Sequence, residues 1–452
     1  MYEIDFKKPQ HVHFIGIGGI SMSSIAFVLK HMGYSVSGSD ICASKKTEEL
    51  ERAGIKVNIG HSPANINEDL DLVIYTADVK DDNPELIRAR ELGIRTLVRA
   101  EALGLMMKNY VIPIGVSGTH GKSTTTSMLS DIFTACDADP TVLSGAELAT
   151  NNGAAYRLGA YKYFIFEACE YTASFLSFFP KIALVLNVEE DHLDYFKDID
   201  DIKRAFAKFV DLCGNDGVAI VNADCKNTLD SIKDYKGTII TYGVETDADF
   251  TCKNLKFDHG RPNFDVYYKG EYYLSLSMSV FGRHNVSNAL AAIATAYICK
   301  LPLDFTVDAL NKFCGAKRRF ELVGKYNGAD IVSDYAHHPT EIETTLKAAM
   351  EIGYDKVTCI FQPHTFTRTY AFFEDFVKSL SLCDKTVLAP VYAKRDKNLY
   401  NVDSSSIALK IDGAEVVSDL KAAADYIKNN AKDNELYILM GAGDINSVAN
   451  ML

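Results

Sequence analysis

The chain has 452 residues, 47% of them hydrophobic and 24% charged, with 29 glycines and 11 prolines. At roughly 150 residues per domain this is about three domains, and so balanced a composition excludes a disordered chain and a disulfide-stapled miniprotein. A net charge of −13 disfavours a broad nucleic-acid surface while leaving room for one small basic pocket.

Taken in order, residues 12–18 form a short apolar run, 21–32 read as a helix and 34–40 as a strand. Further strands are expected at 71–76 and 95–98, with helical segments at 47–53 and 84–92. Such alternation predicts a parallel sheet covered by helices. A second block opens with the strand 111–116, a glycine turn and the helix 122–136, and continues with strands at 163–168, 182–188 and 218–222. Residues 263–268 and 271–277 flank Lys269-Gly270, a hairpin signal, with alternation through Tyr272, Leu274 and Leu276. The Ala-rich helix 285–299 follows. A third block begins near Ala316, with strands at 330–333, 356–361, 386–389 and 435–440 and helices at 339–351, 372–380 and 420–429. The α/β plan recurs three times.

The ten cysteines include no C-x-x-C pair, which excludes a zinc ribbon and a thioredoxin-like motif. Scattered thiols fit a reducing compartment. Residues 1–8 carry charges where a signal peptide needs an apolar run, and no stretch has the length of a membrane helix. A cytoplasmic chain without membrane insertion is expected.

The strongest chemical signal is Gly115-Val116-Ser117-Gly118-Thr119-His120-Gly121-Lys122-Ser123, after a strand and before a helix. It is one residue longer than the P-loop pattern but keeps its Gly-Lys-Ser core. Glycines let backbone N–H groups turn around phosphate oxygens, Lys122 suits the β- and γ-phosphates, and Ser123 suits Mg²⁺. A second turn, Gly16-Ile17-Gly18-Gly19-Ile20-Ser21, is similar to the dinucleotide fingerprint, with Asp40 ending the next strand where an acid meets a ribose. This turn fits NAD, another nucleotide diphosphate, or no ligand.

Glu167 and Glu170 lie at the end of the strand 163–168, and Glu189-Glu190-Asp191-His192 past the strand 182–188. Ligands of parallel sheets gather beyond such strand ends. Glu167 is expected to act there, whereas Glu190 and Asp191 read as solvated loop charges. In the third block, Asp334-Tyr335-Ala336-His337-His338-Pro339-Thr340-Glu341 and Gln362-Pro363-His364-Thr365-Phe366-Thr367-Arg368 follow successive strands, and Lys317-Arg318-Arg319-Phe320 opens the block. The paired histidines lack a third spaced zinc ligand. Two polar clusters at successive strand ends favour a site.

In this order the motifs resemble those of the Mur ligases, ATP-dependent amide-forming enzymes of peptidoglycan precursor synthesis, nearly end to end. The segments carrying the likeness are His13 to Ser23, Ser333 to Glu341, Phe361-Gln362-Pro363-His364 and Gly441-Ala442-Gly443-Asp444-Ile445. The resemblance implies three α/β domains: a Rossmann-like UDP-sugar domain (1–108), a central P-loop ATPase domain (109–315) and a Rossmann-like amino-acid domain (316–452). It implies ligation of L-alanine to the lactyl carboxylate of UDP-N-acetylmuramate through an acyl phosphate, with ATP and Mg²⁺, by a monomer or homodimer that binds no nucleic acid.

The roles it implies are specific. Gly16, Gly18, Gly19, Ser21 and Asp40 would hold the UDP-sugar, replacing the NAD reading. Gly118, Thr119, His120, Gly121, Lys122, Ser123 and Thr124 would bind ATP, with His284 and Asn285 at adenine, Arg319 at the phosphates and Asp334 at the ribose. Ser123, Glu167 and His192 would ligate Mg²⁺. Tyr335, His337 and Arg368 would place the amino acid, and Lys122, His192, Arg319 and His337 would serve catalysis, His337 by accepting the amine proton. Closure of the third domain over the second would shield the acyl phosphate from water. The chain departs from the family in having Ser21-Met22-Ser23-Ser24 for Gly-Met-Ser-Gly, and Thr365 where some members carry Arg. Lys208 lies near the carboxylated lysine of other members and is not assigned.

Overall fold

Val12, Phe14 and Ile15 are fully buried, as a central strand covered on both faces requires. They belong to β1 (His11–Ile15), which lies between β2 (Ser35–Asp40) and β4 (Leu72–Tyr75), with β3 (Lys56–Ile59) and β5 (Arg95–Val98) at the edges. All four pairings are parallel, in the order β3-β2-β1-β4-β5. The order reverses at β1, so a crevice opens beyond its carboxyl end, where the first glycine turn lies. The apolar run expected at 12–18 stops as a strand at Ile15 because Gly16 has φ +83°.

The structure, a computed structural model, describes residues 3–148, 151, 153–193, 195–393 and 396–452. It divides into two units, one of Met1–Thr251, Tyr268–Gly270 and Asn288–Ala309, the other of Cys252–Tyr267, Glu271–Ser287 and Leu310–Leu452.

The first unit holds a second sheet: β6 (Ile112–Ser117), β7 (Thr141–Leu143), β8 (Tyr156–Arg157), β9 (Tyr163–Glu167), β10 (Ile182–Val185), β11 (Val218–Asn222) and β12 (Thr238–Gly243). Its order is β12-β11-β10-β6-β9-β7-β8, parallel except for β8. With β10 and β9 flanking β6, the P-loop and the loops bearing Glu167 and His192 leave the same edge of the sheet. One apolar core joins both sheets, from Phe14 and Ile25 to Phe164, Phe166, Phe206 and Phe209. The helix Arg99–Met107 packs so closely on the turn Tyr171–Ser177 that a Cβ on Gly104 would overlap the Ser177 carbonyl.

In the second unit, β13 (Phe250–Asp258, from Cys252 onward), β14 (Arg261–Tyr268) and β15 (Glu271–Ser277) are successive neighbours, turning at the expected hairpin. Its main sheet comprises β16 (Glu321–Tyr326), β17 (Ala329–Asp334), β18 (Lys356–Phe361), β19 (Lys385–Leu388), β20 (Glu415–Val416) and β21 (Glu435–Met440). The order is β16-β17-β21-β18-β19-β20, with only β16 antiparallel. Every residue of β21 is buried, as the middle of a covered sheet demands. The carboxyl ends of β17, β18 and β21 lead into the three polar segments singled out in the sequence.

Candidate active site

In the first unit, β6 runs into the P-loop and the helix Lys122–Ala135. Gly118 (φ +140°) and Gly121 (φ +84°) hold backbone conformations closed to most side chains. A Cβ at Gly118 would lie 2.9 Å from Leu186 Cβ, and one at Gly121 2.7 Å from Asn288 Oδ1. Asn187 clamps the loop: its side chain accepts from the His120 N–H at 2.7 Å and donates to the His120 carbonyl at 3.1 Å. No sequence pattern marked Asn187.

Lys122 Nζ curls back on the loop, donating to the carbonyls of Gly118 at 2.5 Å and Thr119 at 3.1 Å. It also meets Glu170 Oε2 at 3.0 Å. Burial is the largest influence and works to lower the lysine pKa, but the charge and hydrogen bond of Glu170, with Cys169 and Glu167, together outweigh it, so the pKa ends above its usual value. Glu170, given no role by sequence reasoning, is thus the partner of the central cation. Ser123 and Thr124 are buried in the first turn of the helix.

Glu167, at the end of β9, uses Oε1 to accept from Ser144 Oγ at 3.0 Å and Gly145 N–H at 2.6 Å. His192 Nε2 lies 3.9 Å from Glu170 Oε1, its ring 4.5 Å from that of Tyr171. Asp191 corrects one expectation. It is 7% exposed rather than solvated, and Oδ1 accepts the His192 N–H at 2.7 Å, a local bond that suits the positive φ of His192. Glu190 is exposed, as expected.

The first glycine turn hangs from β2. Gly16 and Ile17 donate to the Ser39 carbonyl at 2.8 and 3.0 Å, and Gly18 to Asp40 Oδ2 at 2.8 Å. Asp40 therefore buttresses the turn with the oxygen expected at a ribose. Gly19 caps the helix Ile20–His31. Ser21 Oγ accepts from Arg99 Nη1 at 3.0 Å. Burial pulls the Arg99 pKa below its ordinary value. Arg99 was missed because its helix, mostly small and apolar, shows no amphipathic period; the signal was Glu101, whose carboxylate accepts the Val98 N–H at 3.2 Å.

In the second unit the Tyr335 ring carries two guanidinium groups, Arg318 at 4.8 Å and Arg319 at 5.2 Å. Arg318 is tied down by the Gly441 and Gly443 carbonyls at 2.7 and 3.0 Å. Asp334 is 5% exposed and accepts from the Phe320 and Ala336 N–H groups at 2.8 and 2.7 Å. Burial raises its pKa to about 6 against the pull of Arg319 and these N–H groups. Each oxygen accepts one backbone N–H, so Asp334 braces the Arg319 segment.

His337 lies 5.3 Å from Tyr335 and 6.1 Å from His364, ring to ring. Arg368 Nη1 approaches His364 Nδ1 at 3.5 Å, and the Tyr392 ring stacks on His364 at 5.8 Å. Burial, with His337 and Arg368 nearby, lowers the His364 pKa to about 4. Between them Thr365 sits at φ 67° and ψ 142°, strained for a β-branched residue. The structure thus gathers Tyr335, His337 and Arg368, and adds His364. His284 is exposed, and Asn285 donates to the Phe281 carbonyl at 2.8 Å.

The sequence matches three family models: Mur ligase family, catalytic domain, over residues 11–111; Mur ligase middle domain over 116–296; and Mur ligase, glutamate ligase domain over 318–443. The chain belongs to the Mur ligase family. Among relatives, it is 46% identical over 444 residues to UDP-N-acetylmuramate–L-alanine ligase of Clostridium novyi, covering 97% of this chain and 96% of that one. The enzyme of the same name from Acetivibrio thermocellus is 46% identical over 454 residues, covering 99% and 96%. Among solved structures, UDP-N-acetylmuramate–alanine ligase of Thermotoga maritima superposes with a TM-score of 0.80 at 29% identity, covering 98% and 97% of the two chains. A murein peptide ligase from Psychrobacter arcticus gives 0.73 at 26% identity, covering 98% of each.

The three Mur ligase models thus fall on the three α/β blocks read in the sequence. Among the described residues of this Mur ligase, no helix is long and apolar enough to cross a membrane, and all ten cysteines are free.

Proposed function

We propose that this Mur ligase joins L-alanine to the lactyl carboxylate of UDP-N-acetylmuramate, using ATP, in peptidoglycan precursor synthesis. The near-end-to-end identity of 46% to relatives bearing that activity in their names carries the substrate assignment. We divide the labour as UDP-sugar binding by residues 1–108, ATP binding by 109–315 and amino-acid binding by 316–452. The reaction's reliance on ATP and a nucleotide sugar puts it in the cytoplasm.

The residues fit their ligands. Gly118 and Gly121 combine positive φ with packing on Leu186 and Asn288 too close for a Cβ, which lets the loop turn its backbone as a phosphate site requires, with Lys122 as its cation. The hard oxygen of Glu167 Oε2, which makes no hydrogen bond among the described residues, suits Mg²⁺ together with Ser123 and His192. Bound there, the ion would neutralise phosphate charge.

A carboxylate is a poor electrophile because its leaving group would be oxide. Transfer of the γ-phosphoryl group to a carboxylate oxygen, with ADP departing, makes an acyl phosphate whose leaving group is phosphate. Lys122 and Arg319 are assigned to the charge that moves, and Gly118 to Thr124 to the phosphate backbone. His284 and Asn285 are assigned to adenine. Gly16, Gly18, Gly19 and Ser21, with Arg99 beside them, hold the substrate diphosphate, and Asp40 shapes that turn. Tyr335, His337 and Arg368 place L-alanine. His337 takes a proton from its amine, which must attack as the neutral base.

Incubation with ATP, UDP-N-acetylmuramate and L-alanine tests the assignment: ADP, phosphate and a new amide appear in equal amounts. ADP release that requires a peptide in place of L-alanine assigns the chain instead to the murein peptide ligases.

A further inference from the structure

We propose that Glu341 is a positioning residue that fixes the tautomer and orientation of His337, so that the imidazole presents an unprotonated Nε2 to the incoming amine. The proposal rests on the reading of His337 as the base and deepens it. His337 Nδ1 lies 3.0 Å from the Tyr335 carbonyl oxygen and 3.2 Å from Glu341 Oε2. Both neighbours only accept hydrogen bonds, so Nδ1 carries the hydrogen. A neutral imidazole protonated at Nδ1 has its lone pair on Nε2.

The carboxylate is itself held from several sides. Glu341 Oε2 also accepts the N–H of His337 at 3.1 Å and of His338 at 3.4 Å, while Oε1 faces Arg319 Nη1 at 3.6 Å. It stands in the first turn of the helix Pro339–Met350, a rigid support, rather than on a loop. An acid at the third helical position is in part a helix cap, bonding backbone N–H groups around His338. Capping accounts for those backbone bonds. It does not require the same oxygen to meet the ring nitrogen of His337.

Around His337 the Glu341 carboxylate lies on one side with Arg319 beyond it, and His364 on another with Arg368 beyond it. In the amide-forming step the nitrogen–carbon bond forms and the carbon–oxygen bond to phosphate breaks. Phosphate leaves with that electron pair, and the amine proton passes to His337 Nε2. The resulting imidazolium keeps its Nδ1 hydrogen on the Tyr335 carbonyl, with the Glu341 carboxylate 3.2 Å from the same nitrogen to offset the new charge.

The test compares the full-length enzyme with Glu341→Gln, which keeps an accepted capping residue but removes the charge. Amide synthesis should fall by roughly 10- to 1,000-fold, within what general-base catalysis supplies, with the KM values for ATP and UDP-N-acetylmuramate held. ADP release should exceed amide formation as stranded acyl phosphate hydrolyses. The ¹⁵N spectrum of the histidine side chains, with the His337 signals identified from His337→Gln, should show the Nδ1–H form in the parent and a growing share of the Nε2–H form in Glu341→Gln, where the Tyr335 carbonyl alone holds the Nδ1 hydrogen. A parent spectrum with His337 protonated at Nε2, or a spectrum unchanged in Glu341→Gln while only thermal stability drops, overturns the proposal. Full amide synthesis by His337→Gln instead defeats the base assignment, and the spectrum separates that failure from an error about Glu341.

Discussion

Lys122 Nζ meets Glu170 Oε2 at 3.0 Å with side chains only 16% and 4% exposed, so the cation of the P-loop is neutralised by a buried carboxylate before any phosphate arrives. A phosphate chain binding at Lys122 would compete with this pair. Removing one member of a buried pair strands the other and costs about 3–5 kcal/mol. Lys122→Ala should therefore abolish ADP release and lower the unfolding free energy by an amount of that order, while UDP-N-acetylmuramate still binds. Adding Glu170→Gln should restore most of the stability and none of the turnover. Calorimetry and coupled ADP assays read the two quantities separately; turnover by Lys122→Ala would remove the lysine from the phosphate site.

Arg99 makes a different case. Its hydrogen bond to Ser21 Oγ places a guanidinium beside the first glycine turn, and burial lowers its pKa against the opposing influence of Cys169. A desolvated cation that forms no ion pair among the described residues suits an anionic substrate. Arg99→Lys keeps the charge but loses the planar donor fork, so the KM for UDP-N-acetylmuramate should rise about tenfold, the worth of one charged hydrogen bond. The KM for ATP should not move. Equal rises in both would mean that the substitution disturbs the unit rather than the substrate.

What the sequence made legible, and what it hid, follows from the range of each interaction. The spacing of Gly118, Gly121, Lys122 and Ser123 is local, so the P-loop could be read directly. The strands β11, β15, β18 and β21 carry clear apolar or alternating patterns and fall at or within the expected limits. Glu170 could not be told from Glu167, because its burial depends on the turn Tyr171–Ser177, where Thr172 and Ala173 both take positive φ. Asp191 looks like a loop charge in any window that cannot see its bond to the His192 N–H. Asp40 and Asp334 were read as ligand contacts by position, and no local window shows that each also completes a backbone connection, across 22 and 14 residues. Short strands such as β3 and β7 are defined by their partners more than by their own residues.

Gly104 sets helix propensity against packing. Alanine is favoured over glycine inside a helix by about 1 kcal/mol. A Cβ here, however, would overlap the Ser177 carbonyl, which is backbone and cannot rotate aside. Overpacking of a fixed core costs about 1–3 kcal/mol, so sterics should win. Gly104→Ala should lower the melting temperature and, by shifting the Tyr171–Ser177 turn that follows Glu170, reduce turnover as well. A stabilised variant would show that the helix can withdraw from the turn without loss.

Acid should weaken the fold through His13. The residue is fully buried in β1, its Nδ1 2.9 Å from Ser37 Oγ. Burial lowers its pKa from 6.5 to about 4 in spite of Glu85, whose carboxylate lies 3.9 Å away. The unfolded chain thus binds a proton near pH 6.5 that the native state refuses until about pH 4. Between those values the unfolded state holds more protons, so stability falls as pH falls. Above pH 6.5 both states are neutral at this site and the contribution is intact; below about pH 4 both are charged and the loss is complete. A displacement of this size corresponds to about 3 kcal/mol. Denaturant unfolding at a series of pH values should show that decline in the parent and a shallower one in His13→Gln, which keeps a polar group for Ser37 but does not titrate. Parallel curves for the two proteins would assign the acid sensitivity to other groups, with His364 the next to substitute.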